Sequence, residues 1–77
     1  MNKARRKMIE DACDLIAKAR EILEQVKEEE DDAFCNLPDS FQESERGEQM
    51  QEYIYNLEDV CSNLVEAEET AYEIVEG

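Results

Sequence analysis

The chain has no histidine and no tryptophan, one proline and two glycines in 77 residues, and only one base, Arg46, after residue 27. Without histidine it lacks the commonest general base, proton shuttle and metal ligand at neutral pH, and its thiols have no imidazole to activate them. Nucleophilic catalysis is therefore not expected, nor is a helical di-metal site built on Glu-x-x-His. The three cysteines, Cys13, Cys35 and Cys61, are odd in number and match neither a secreted disulfide framework nor a zinc pattern, so they read as free thiols of a reducing cytoplasm. No apolar run approaches the roughly 20 residues that cross a bilayer. The opening MNKARRKMIE has the basic start of a signal peptide, but Glu10, Asp11 and Asp14 interrupt the apolar stretch that should follow. Neither export nor membrane insertion is expected.

What is abundant is acid. Residues 1–27 hold seven bases and five acids, net +2, and residues 28–77 hold one base and seventeen acids, net −16, which together give the formal −14. Such a charge is repelled by nucleic acid and by anionic lipid, and it favours basic partners. A chain of this length forms one domain, 1–77, with a thin core that benefits from a partner.

The apolar spacing is helical throughout. Met8, Ala12, Leu15, Ala19, Ile22 and Val26 step by four and three, with Ile9, Ile16 and Leu23 as an adjacent row. In the second half Met50, Leu57, Leu64 and Ala71 alternate with Ile54, Cys61 and Val75, flanked by Tyr53, Val60, Ala67 and Ile74. The pattern predicts an all-α fold: an antiparallel two-helix hairpin, with helix 1 over about 3–32, a connection over 33–43 holding a short helical turn, and helix 2 over about 44–76. The connection offers Asn36, Ser40 and Ser44 as caps, Ser40 with Glu43 as a capping box, and Phe34, Leu37 and Phe41 to fold back over the hairpin end.

Charge favours the antiparallel arrangement. Lys3, Arg5, Arg6 and Lys7 open helix 1, and Glu66, Glu68, Glu69, Glu73 and Glu76 close helix 2, each against the helix dipole, so folding back sets opposite signs side by side. Within the seam, Met8, Leu15 and Ile22 with Ala12, Ala19 and Val26 are expected to face helix 2, the alanines admitting a close approach to Leu57, Val60 and Leu64. Glu68 falls on the apolar stripe and is expected to pair with Arg5 or Arg6. Two helices bury one stripe apiece whereas each carries three apolar rows, which predicts a homodimer closing a four-helix bundle.

The loop end collects Glu28, Glu29, Glu30, Asp31 and Asp32 near Asp39, Glu43, Glu45, Glu48 and Glu52. Helix 2 extends this pole: Glu45, Glu52, Asp59, Glu66 and Glu73 recur every seven residues on its outer face, bordered by Glu48, Glu69 and Glu76. A solvated face usually mixes signs, because like charges four apart weaken a helix. A single-sign ridge instead speeds encounter with basic surfaces and rejects acidic ones. Glu45, Glu48, Glu52, Tyr55, Asp59, Glu66, Glu69 and Glu73 are therefore the candidate partner-binding residues, Tyr55 as an aromatic contact among acids. The EEEDD run lacks the alternate acids and central glycine of a calcium loop, and no cofactor or metal is expected.

The stretch NLPDSFQESERGEQM, residues 36–50, with NLE at 56–58, resembles a group of small acidic helical proteins of phages and mobile elements of Gram-positive bacteria, which carry Asn-Leu-Pro-x-Ser-x-Gln-x-Ser-Glu-Arg before a long acidic helix. The resemblance implies no catalytic residue. It implies a bacterial host cell as the setting and interference with host machinery as the context, of the kind exerted by acidic inhibitors of nucleases, including anti-CRISPR and anti-restriction proteins. The expected function is thus a non-enzymatic acidic protein that occupies the basic, nucleic-acid-binding surface of a larger protein without binding nucleic acid itself. A structural module that joins a complex through its apolar faces is the other reading.

Overall fold

A computed structural model describes all 77 residues. It is entirely helical: α1 (Lys3–Cys35), α2 (Asp39–Gln42) and α3 (Glu45–Glu76), the two long helices packed against each other in a rod whose Cα atoms span 58 × 14 × 13 Å. Asn2 caps α1, its side-chain oxygen accepting from the Arg5 amide at 2.9 Å. From there no proline or glycine interrupts the chain until Pro38, and the helix runs for 33 residues.

α1 continues three residues past the expected end, through its own acidic run. No base lies in its last turn to complement the dipole. Two carbonyls at and just past its end are met by a side chain instead: Gln42 Nε2 donates to Phe34 O at 3.2 Å and to Leu37 O at 3.1 Å. The connection is correspondingly shorter than predicted.

Pro38 stands at the entry to α2 in extended conformation, and α2 has no side-chain cap, so neither Asn36 nor Ser40 serves there. Asn36 instead closes α1, its amide donating back to Asp32 O. Ser44 caps α3, its hydroxyl accepting from the Gly47 amide at 3.3 Å while donating to Phe41 O. Gly47 is buried where the connection crosses α3: a Cβ there would sit 2.5 Å from the Phe41 carbonyl oxygen and closer still to that of Gln42. Leu37 and Phe34 are half-buried, but Phe41 is exposed, contrary to the covering role expected of it. Leu37, Pro38, Gln42 and Ser44 thus build this turn.

On α3 the seam is the expected one. Gly47, Met50, Ile54, Leu57, Cys61, Leu64, Glu68, Ala71 and Val75 step by three and four and are all buried or half-buried. On α1 the seam is rotated from the expectation. It runs through Ile9, Cys13, Ile16, Arg20, Leu23, Lys27, Glu30 and Phe34, whereas Met8, Ala12, Leu15, Ala19, Ile22 and Val26 are exposed, Met8 and Leu15 by 70%. The alanines thus mark no close approach.

The reason for the rotation is ionic. Turned this way, α1 brings Arg20 Nε to 3.0 Å from Glu68 Oε1 and Lys27 Nζ to 3.3 Å from Glu58, while Arg20 Nη1 holds Glu24 of its own helix at 3.0 Å. Glu68 has its partner in Arg20, not in Arg5 or Arg6. Left unpaired in the seam, that carboxylate would carry an uncompensated desolvation cost. Because residue number rises along α1 as it falls along α3 in these two pairs, the helices run in opposite directions. The core remains thin: only Cys13, Gly47 and Cys61 of 77 residues are buried.

Candidate functional site

All eight sequence-selected residues, Glu45, Glu48, Glu52, Tyr55, Asp59, Glu66, Glu69 and Glu73, lie on α3 and are exposed, Tyr55 by 76%. Glu45, Glu52, Asp59, Glu66 and Glu73 occupy the row opposite the seam. At 1.5 Å rise per residue this row extends about 42 Å. Glu48, Tyr55 and Glu69 form the row beside it. Every ion pair in the protein uses other acids, namely Glu10, Asp11, Glu24, Glu58 and Glu68, so no ridge acid is paired, and Arg46 at the start of the ridge is the only base on α3. Its start is a shallow recess lined by Glu45, Arg46, Glu48, Gln49 and Glu52, with no apolar side chain.

The basic start of α1 does not neutralise the acidic end of α3 by direct pairing. Lys7 contacts Asp11 at 3.2 Å and Glu10 at 4.0 Å along its own helix, and Lys3, Arg5 and Arg6 make no ion pair. The hydrogen bond to Asp11, followed by the charges of Asp11 and Glu10, raises the Lys7 pKa above its usual value. Hydrogen bonds to Glu68 and then Glu24 likewise raise that of Arg20, which stays a cation throughout the accessible range. Lys3, Arg6, Lys7 and Glu10 instead line an open recess beside Val75.

The thiols are free: Cys13 and Cys61 are buried in the seam and Cys35 is exposed at the end of α1. Cys13 lies near one end of the rod and Cys61 is level with Lys27, so the two buried sulfurs do not face each other. No three side chains among Cys, Asp and Glu converge on a point where a metal ion could be held, the EEEDD run included. No helix is long and apolar enough to cross a membrane.

The second surface feature was only half legible in the sequence. Between Met8 and Val26, the exposed rows Met8, Leu15, Ile22 and Ala12, Ala19, Val26 of α1 contain no charge. On α3 the row Tyr53, Val60, Ala67, Ile74 and the next row, Gln49, Asn56, Asn63, Thr70, contain none either. These stretches adjoin. Val26 and Glu30 share a recess of about 370 Å³ with Tyr53, Asn56, Leu57 and Val60. One flank of the rod is thus uncharged along both helices, while the opposite flank carries the Lys27–Glu58 pair, Glu24, Glu28 and Ser62. The apolar rows gave part of this away, but their coincidence on one side depends on the rotation of α1.

No family model, curated protein or solved structure matches the chain.

Proposed function

We propose that the protein is a non-enzymatic binding protein whose α3 ridge engages the basic surface of a larger protein, of the kind that otherwise holds nucleic acid. The observation that carries this reading is that no ridge acid is paired: five exposed acids stand in one row, with Arg46 the only base on their helix, in a chain that commits its seam cations to other carboxylates. Glu48 stands three and four residues from Glu45 and Glu52, and Glu69 likewise from Glu66 and Glu73, and like charges at that spacing weaken their own helix. A basic partner converts that cost into affinity and encounter rate, which fall with salt. One row repeats about every 10.5 Å, sparser than the roughly 1.7 Å of axis per charge on duplex DNA. Glu48 and Glu69 in the neighbouring row raise the density.

Occupying a nucleic-acid groove would make the protein an inhibitor; the resemblance to phage and mobile-element proteins supports a host nuclease or defence complex as the target. The reading is tested by capturing basic proteins from a bacterial lysate with the native chain and with an E52K/D59K/E66K variant, then competing the captured protein off with duplex DNA. Capture that needs the acids, weakens with salt and is displaced by DNA is expected. An unchanged set of captured proteins with the variant would refute it. The uncharged flank supports a second reading, an assembly module that joins a complex through apolar contacts, for which substitution at Tyr53 and Val60 abolishes capture and reversal of the acids does not.

A further inference from the structure

The rod exposes 6005 Å². A compact monomer of this mass, 9.0 kDa, exposes about 4,850 Å². The excess, roughly 1,150 Å², is larger than the about 800 Å² that each partner contributes to a stable interface. The elongated shape is its source, and the uncharged flank is the part of that surface without charge. From Tyr53 to Ile74 the flank runs about 32 Å, and two helices are about 20 Å across, so its projected area of about 640 Å² approaches that interface before its ridges are counted.

We infer that this flank docks a second copy of the chain, the two rods running in opposite directions about a two-fold axis to close a four-helix bundle. Charge selects the occupant and its orientation. A partner of ordinary surface would meet acids at the margins of the flank on α3 and at the loop end. A second copy turned end for end sets its own Arg5, unpaired and in the row of Ala12, Ala19 and Val26, beside Glu29 and Glu30, the loop-end acids that border the flank of the first. A copy in the same direction would stack the two acidic loop ends. The symmetric arrangement lays each long helix against its counterpart, and Leu15, Ile22 and Val26 of α1, with Tyr53 and Val60 of α3, become core. The two α3 ridges remain outside it.

This inference does not rest on the ridge reading, and the tests separate. Sedimentation equilibrium of the full chain is expected to give twice the monomer mass at micromolar concentration. L15K/I22K is expected to give the monomer mass, with at least a hundredfold loss of self-affinity; both positions are exposed in the single rod, so helicity by circular dichroism is retained. V60K supplies the same test from α3. E52K/D59K/E66K is expected to remain a dimer even though it loses the basic partner. Added salt is expected to tighten the dimer, by screening repulsion between two chains of charge −14, while weakening capture of a basic partner. For orientation, a cysteine pair that links M8C of one copy to E29C of the other, both in the exposed row of Leu15 and Ile22, in a chain with Cys13, Cys35 and Cys61 replaced by alanine, is expected to form a covalent dimer. A monomer at 100 µM, at about 0.15 M salt, would overturn the inference, as would a dimer insensitive to L15K/I22K and V60K. Cross-linking between two M8C ends would overturn the orientation.

Discussion

Replacing Gly47 by alanine sets two effects of opposite sign against each other. Within a helix the change gains about 0.5–1 kcal/mol, because alanine loses less backbone freedom on folding. At residue 47 the new methyl meets backbone, with the Phe41 oxygen at 2.5 Å and the Gln42 carbonyl carbon at 2.7 Å, against an ordinary contact of 3.4–4 Å. Those atoms cannot step aside as a side chain would: the Phe41 carbonyl accepts from the Ser44 amide and hydroxyl, and Gln42 is tied to the end of α1. Overpacking of this kind costs about 1–3 kcal/mol, so the net loss is about 1–2 kcal/mol after the gain in propensity. For a chain of this length that lowers the thermal midpoint by about 5–15 °C, at about 4–8 °C per kcal/mol. The midpoint is followed by far-ultraviolet circular dichroism at a fixed protein concentration, since association shifts it. A midpoint raised by several degrees would show that propensity alone governs the site, and the account of the turn would fall.

Other substitutions test other joints. Ser44→Ala removes the cap of α3 and should cost about 0.5–2 kcal/mol, read from urea unfolding. Arg20→Met and Glu68→Leu should each lower the urea midpoint by stranding a charge in the seam, whereas the double variant should recover it; neutral single variants would show that the pair does not fix the rotation of α1. Lys7, with a folded pKa above 10.5, adds stability that is complete below that value and vanishes as pH rises through the folded value. Thermal midpoints of the native chain and K7M should therefore differ at neutral pH and converge as pH rises past the raised folded value.

Two long helices, their approximate limits and the seam of α3 were determined by the sequence itself, because a four-and-three apolar spacing without breakers admits little else. The outward placement of Glu45, Glu52, Asp59, Glu66 and Glu73 followed, since a row seven residues apart opposite a seam has nowhere else to point. The face that α1 presents did not follow. Its three apolar rows are adjacent, and hydrophobicity alone favoured Met8, Leu15 and Ile22 over a row that contains Arg20 and Lys27. Only the tertiary structure decides between them, because the preference comes from Glu58 and Glu68, which lie 31 and 48 residues away in the chain and reach those cations only once the helices are folded together. The same is true of Gly47: its role depends on carbonyls that the turn carries over it. Local periodicity fixes what each helix can bury, and the pairing of distant charges fixes which of those surfaces is left open.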